Sequence, residues 1–170
     1  RVPTDTPPGN NTPHALRFPY DTQAALLAWR ALYFKPGVYV ADATKSEDWN
    51  RGAYLAEGLG HCAACHSPRN RFGARDAARP YDGALVEGWY APALNASSPA
   101  PVPWTQEALL NYFYDGWDAD HGIAAGPMQE VQRHTAALPE EDAAALADYI
   151  LSLQSDRDPA LAEAARSFAT

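Results

Sequence analysis

The chain has 170 residues, 46% of them hydrophobic and 20% charged, with a formal net charge of −8. That composition is globular, and the acidic balance excludes a nucleic-acid binder, which needs a basic face. No apolar run reaches the ~18 residues that a membrane-spanning helix requires, and two cysteines are too few for a small disulfide framework.

Residues 1–20 read as an extended arm, because Pro3, Pro7, Pro8, Pro13 and Pro19 exclude regular structure and Asn10-Asn11 favours turns. The first residue is Arg1, and no basic stretch followed by an apolar one precedes the arm, so any leader peptide is expected to have been removed. A first helix is predicted over Thr22 to Phe34, with Asp21 as N-cap, Leu26, Trp29 and Tyr33 on one face, and Pro36-Gly37 as the stop. A second is predicted from Glu47 to Glu57, capped by Ser46 and ended by Gly58. Residues 61–103 read as loop.

A third helix fits Gln106 to Asp115 after Thr105, and the loop from Gly116 to Met128 leads to a short helical stretch at 129–137. The last helix spans Pro139 to Leu153, with Glu140, Glu141 and Asp142 at its positive end. Residues 154–170 read as a polar tail, with helix expected after Asp158. No strand is expected, so the fold class is mostly α with long loops. A loop of some forty residues inside a compact domain needs something to pack against. A large apolar cofactor would supply that missing core.

The string His61-Cys62-Ala63-Ala64-Cys65-His66 contains C-x-x-C-H, the attachment pattern of a c-type haem. Two thiols at this spacing reach the two vinyl groups of one porphyrin, and the adjacent His66 falls beneath the iron as proximal ligand. A dithiol redox site would need an α/β context, a zinc site a second ligand pair, and a disulfide here would close a loop too short to stabilise much. The sixth ligand is assigned to Met128, the single methionine, in the loop Gly126-Pro127-Met128, where Pro127 keeps Gly126 out of the α region and the approach extended. His121 in the same loop is the second candidate. His61 is expected to face solvent or the haem edge, and His14 and His134 to lie on the surface.

A ligating histidine usually donates its free ring N–H to a carbonyl, and Pro92 in Tyr90-Ala91-Pro92-Ala93-Leu94 is the candidate acceptor, with Leu94 packing on the porphyrin. Of the five tryptophans, Trp89 is expected to touch the haem. Gly52 inside the second helix costs about 1 kcal/mol against Ala, which a close helix crossing would justify, with Tyr149 as partner.

These motifs resemble class I cytochrome c domains, and more narrowly those of the multi-haem cytochrome c subunits of bacterial membrane-bound dehydrogenases acting on alcohols, aldehydes or gluconate. The resemblance runs over residues 15–154 through RFPYDTQAALLAWRALYFKPGVY, WNRGAYLAEGLGHCAACHSPRN, GWYAPALN, GPMQEV and EDAAALADYILSL. It implies a class I fold, helices around a covalent haem with an extra N-terminal helix. On it, 1–45 is an arm and extra helix packing on the domain, 46–154 the haem c domain and 155–170 a tail. It also implies Cys62 and Cys65 as thioether sites, His66 and Met128 as axial ligands and Pro92 as acceptor. Full-length relatives of this type carry three such motifs and a membrane-attachment tail, whereas this chain has one motif, so it is either one domain of a longer protein or a free single-haem relative.

The expected function is electron transfer by one haem c, without substrate chemistry, from a dehydrogenase towards another haem, a quinone or an oxidase in a bacterial periplasm. The alternative is a haem enzyme, peroxidase-like or acting on sulfur compounds, with a labile distal Met128. Arg69, Arg71, Arg75 and Arg79 against Asp76 make residues 61–80 locally basic, and Arg69 is expected to meet haem propionates or to steer an acidic partner. With two lysines in the chain, a lysine-ringed docking face is excluded.

Overall fold

The structure is a computed structural model that describes residues 15–158, 160 and 163. Most of the expected Pro-rich arm and of the helical tail, and His14, lie outside those residues. The chain separates into two compact units, Arg1–Val38 and Tyr39–Thr170.

In the first unit, helix α1 (Gln23–Tyr33) starts from Thr22, whose hydroxyl accepts from the Ala25 N–H at 3.2 Å. The cap is therefore one residue beyond the expected Asp21. Along α1 the Trp29 and Tyr33 rings meet at 5.4 Å, as one-turn neighbours do.

The second unit opens ahead of residue 46 because Asn50 ties the preceding segment to helix α2 (Glu47–Tyr54). Its Oδ1 accepts from the Tyr39 hydroxyl at 2.8 Å and the Asp42 N–H at 2.7 Å, and its Nδ2 donates to the Asp42 and Ser46 carbonyls, both at 2.9 Å. Ser46 caps α2 as expected, accepting from the Trp49 N–H at 3.1 Å. Helix α2 crosses helix α6 (Glu140–Ser152), which follows Pro139 and places Glu140, Glu141 and Asp142 in its first turn. The crossing is tightest at Gly52, where a Cβ would press on the Ala145 carbonyl and stand 2.8 Å from the Tyr149 Cβ. Trp49 Nε1 donates to Ser152 Oγ at 2.8 Å at the end of α6, and Arg51 pairs with Asp142 in its first turn at 2.6 Å.

The core around this crossing joins Ala53, Leu55 and Ala56 to Leu109, Phe113, Leu146 and Ile150. Leu109 and Phe113 come from helix α4 (Gln106–Asp115), which Thr105 caps and Gly116 ends at a left-handed φ of 75°, matching the expected bounds. Helix α5 (Pro127–Thr135) packs on α4 and begins two residues earlier than expected, since Pro127 suits a first helical position.

Three expectations need correcting in the middle of the chain. The second helix does not stay α-helical to Glu57: it widens into a π-helical turn over Leu55–Leu59, where the Gly60 N–H donates to the Leu55 carbonyl at 2.7 Å. Within the expected loop, Cys62–His66 forms a short helix, α3. Strands exist as well. β1 (Ala84–Val86) and β2 (Trp89–Ala91) form an antiparallel hairpin, and β3 (Trp117–Asp118) pairs with β4 (Gly122–Ile123). Glu87 and Gly88, at φ 51° and 82°, make the two-residue left-handed turn whose twist suits a hairpin. Strands of two or three residues are too short to leave an alternating pattern.

Candidate functional site

The π-helical turn delivers the chain to α3 through Gly60, where a Cβ would stand 3.0 Å from the Leu55 carbonyl and 3.3 Å from Cys62 Sγ. His61 then takes a left-handed φ of 51° and starts the helix. Helical spacing sets Cys62, Cys65 and His66 on one side of α3, at i, i+3 and i+4. Both cysteines are free and half-buried, and burial pushes the Cys62 thiol up to about 11, so it stays protonated. Arg69 braces the loop behind α3, donating to the Ala64 carbonyl at 3.1 Å and the Gly73 carbonyl at 2.8 Å. That bracing is a role the sequence reading does not assign to it.

The hydrogen bond expected between His66 and Pro92 is present: Nδ1 donates to the Pro92 carbonyl at 2.7 Å. A carbonyl only accepts, so the ring proton sits on Nδ1 and the Nε2 lone pair is left for another partner. Burial holds this imidazole below its ordinary range, which keeps it neutral. The β1–β2 hairpin brings Pro92 there, anchored by Gly83 N–H to the His66 carbonyl at 2.9 Å and Leu94 N–H to the Tyr81 carbonyl at 2.9 Å. Leu94 itself packs against the core cluster.

The same hairpin reaches the methionine arm. At the start of β2, the Trp89 indole lies over Gly126, so close that a Cβ on Gly126 would be 2.5 Å from the ring. Gly126 adopts φ 56° and ψ −138°, outside the α region but not the extended approach expected for it. Met128 is half-buried and is the second residue of α5 rather than part of the loop. β2 thus touches both sides of the site, His66 through Pro92 and the approach to Met128 through Trp89.

His121, the second candidate for the sixth ligand, is turned to other partners. Its side chain is 2% exposed and stacks on Trp104 with ring centroids 3.6 Å apart; Nδ1 faces Asp118 Oδ1 at 2.6 Å and Nε2 faces the Val102 carbonyl at 3.1 Å. Both ring nitrogens are occupied. His61 is exposed, and His134 is exposed beside Glu130 at 3.7 Å.

Sequence reasoning missed Glu57. In the π-helical turn its Oε1 accepts from the hydroxyls of Tyr81 at 2.5 Å and Tyr149 at 3.0 Å, and Arg75 approaches Oε2 at 3.4 Å. Burial and the carboxylate raise both phenols far above their ordinary range, so they act as donors. Glu57 reads in sequence as the exposed end of an α-helix, and only the widened turn directs it inward.

The residues present fit a covalently bound haem. The two thiols of Cys62 and Cys65 and a neutral imidazole whose Nδ1 is spent on Pro92 share one side of α3, and a thioether stands on the arm that Trp89 touches. Leu85, Trp89, Tyr90, Trp117 and Ile123, on the two hairpins, are each more than half exposed, the kind of apolar surface that a large flat group would cover.

The family model for cytochrome c matches residues 50–154. The chain belongs to the cytochrome c family. Membership implies a covalently bound haem c and an electron-transfer role. The cytochrome c domain is 43% identical over 164 residues to a nicotinate dehydrogenase subunit of Pseudomonas putida, covering 95% of this chain and 14% of that protein. It is 37% identical to the fructose dehydrogenase cytochrome subunit of Gluconobacter japonicus, over 91% of this chain and 31% of the relative. Against a dihaem cytochrome c-type protein of Cereibacter sphaeroides it is 36% identical, over 81% of this chain and 46% of the relative. The chain thus spans less than half the length of each of these relatives. No helix among the described residues is long and apolar enough to cross a membrane.

Proposed function

We propose that this domain carries one haem c, bound through thioethers from Cys62 and Cys65 and ligated by His66 and Met128, and that it relays single electrons. The haem supplies reversible Fe(II)/Fe(III) chemistry when bound. The chain's own part is to hold and tune it. Cys62 and Cys65 anchor the ring to α3, and the Pro92 carbonyl orients His66 and makes Nε2 a better donor. Met128, a soft neutral donor, favours Fe(II) and so raises the potential relative to a second imidazole. Trp89 and Leu94 exclude water from the ring.

The observation that carries the reading is the Nδ1 bond to Pro92, which leaves a neutral imidazole beside two thiols with its second nitrogen unspent. Because the relatives include a nicotinate dehydrogenase subunit and a fructose dehydrogenase cytochrome subunit, the electron donor proposed is a dehydrogenase subunit. The acceptor is another haem, a quinone or an oxidase, and the address is the bacterial periplasm, where c-type maturation takes place. The enzymatic alternative with a labile Met128 finds no support around His121, whose nitrogens are already engaged and which offers no distal acid or base.

The test is coexpression with a cytochrome c maturation system. Acid acetone should fail to extract the haem, and the denatured mass should show one porphyrin on the chain. A colourless chain, or haem that extracts, refutes the assignment. Met128→Ala should abolish the far-red thioether-to-iron band of the ferric protein; survival of that band refutes Met128, since the chain has one methionine.

A further inference from the structure

We infer that Tyr81 is a positioning residue for the proximal side of the site: it locks the segment bearing Pro92 to both ends of α3, and so sets how firmly the Pro92 carbonyl holds His66. The inference rests on the proposed ligation by His66.

Tyr81 is 3% exposed and takes a left-handed φ of 58°, a region that a bulky side chain seldom occupies. Such a conformation persists only where the surroundings over-determine it. Here four hydrogen bonds do so. The phenol donates to Glu57 Oε1 at 2.5 Å, and the backbone N–H donates to Ser67 Oγ at 2.9 Å. The Tyr81 carbonyl accepts from the N–H groups of Leu94 at 2.9 Å and Asn95 at 3.3 Å.

These partners bracket the proximal histidine along the chain. Glu57 lies five residues before Cys62, Ser67 directly follows His66, and Leu94 is two residues beyond Pro92. His66 and Pro92 are 26 residues apart, so their 2.7 Å bond depends on what fixes the two backbones. The β1–β2 hairpin between them is a poor anchor by itself, since two strands of three residues are marginally stable. The anchoring is done at its foot, by Tyr81 and by the Gly83 N–H on the His66 carbonyl at 2.9 Å. With the phenol held by Glu57, the Tyr81 backbone keeps the conformation in which its N–H and carbonyl meet Ser67 and Leu94. Without that hold it relaxes toward an ordinary φ, and the Pro92 carbonyl backs away from Nδ1.

A firm Nδ1–H bond makes the imidazole a better donor at Nε2. Releasing Tyr81 therefore weakens the donor and raises the potential. Losing a phenol partner of the Glu57 carboxylate acts the other way, because a less shielded negative charge favours Fe(III). The two effects differ in sign.

The test uses the reduced, diamagnetic holoprotein. Tyr81→Phe keeps the ring and removes the hydroxyl. In it the His66 Nδ1 proton, followed by NMR in deuterium oxide, should exchange about tenfold faster than in the unaltered chain, as the loss of one hydrogen bond implies. The Fe(II)/Fe(III) ratio at fixed potential should rise about threefold, which is about 28 mV at 59 mV per tenfold. Tyr149→Phe removes the other phenol on Glu57, at 3.0 Å, without touching the Pro92 segment. It should leave the Nδ1 exchange unchanged and should not raise the ratio. If Tyr81→Phe alters stability but not the exchange, or lowers the ratio, Tyr81 merely packs and the inference is overturned. Should that variant fail to fold, the unaltered chain decides: the Leu94 amide and the His66 Nδ1 proton should become labile in one opening event, with the same dependence on denaturant. A Leu94 amide that exchanges while Nδ1 stays protected overturns the inference. Absence of ring-current-shifted His66 resonances refutes the ligation itself, while the Nδ1 exchange in Tyr81→Phe still judges the positioning, because that bond belongs to the chain alone.

Discussion

With Met128 as the sixth ligand proposed above, Gly126→Ala should open the iron on the methionine side. At φ 56° and ψ −138° a residue with a Cβ sits in a sparsely populated region, a cost of about 1–3 kcal/mol. The new methyl would also stand 2.5 and 2.6 Å from two atoms of the Trp89 indole, and relieving such overpacking costs a further ~1–3 kcal/mol. Together these amount to about 2–6 kcal/mol, placed two residues from Met128 and relieved by moving either the arm or the indole. At ~1.4 kcal/mol per tenfold, the population lacking the Met128 bond should rise between about thirty-fold and ten-thousand-fold.

The assay is carbon monoxide binding to the reduced protein together with the far-red band of the ferric form. Gly88→Ala is the control. It also has a left-handed φ, 82°, but nothing lies within 4 Å of a Cβ there, so it should cost only the backbone term, ~1–2 kcal/mol, and leave the band intact. If Gly126→Ala keeps the band and excludes carbon monoxide as well as Gly88→Ala does, the argument from crowding against Trp89 is wrong.

Gly52→Ala should destabilise the second unit by about 3 kcal/mol, because a methyl pressing on the Ala145 carbonyl outweighs the ~1 kcal/mol helix preference for Ala; thermal unfolding reads it, and the far-red band should be unchanged below the transition. Glu57→Leu should cost about 2–5 kcal/mol in denaturant unfolding by leaving the Tyr81 and Tyr149 hydroxyls without their shared acceptor, whereas Glu57→Gln should recover most of that loss. Asp118 has a lowered carboxylate range, so its stabilising bond to His121 is fully present above the ordinary range and is lost only as pH falls through the lowered one. Acidification from pH 7 to about 4 should therefore leave the β3–β4 hairpin protected in amide exchange, and early loss of protection at Ala124 would contradict the pairing.

The attachment motif and the helix caps are legible in the sequence because they are local. Cys62, Cys65 and His66 must be spaced within one helical turn to serve one porphyrin, and Ser46 and Thr105 cap helices through the N–H groups three residues on. The Pro92 acceptor and the Gly52 crossing are readable as well, since an orphan carbonyl in an irregular loop and a glycine in a helix each ask for a partner. What escapes the sequence is local geometry that departs from the usual period and polar contacts between distant residues. The turn over Leu55–Leu59 widens because Gly60 bonds five residues back, and that shift turns Glu57 from a helix surface to Tyr149, 92 residues away. His121 reads as the second candidate ligand, whereas in the fold Asp118 and the Val102 carbonyl meet its two nitrogens, and the bracing of the Ala64 and Gly73 carbonyls by Arg69 is likewise invisible in the sequence. Hydrogen-bonding capacity is inherent in a residue type, but which acceptor fills it depends on which backbone the packed core brings within ~3 Å.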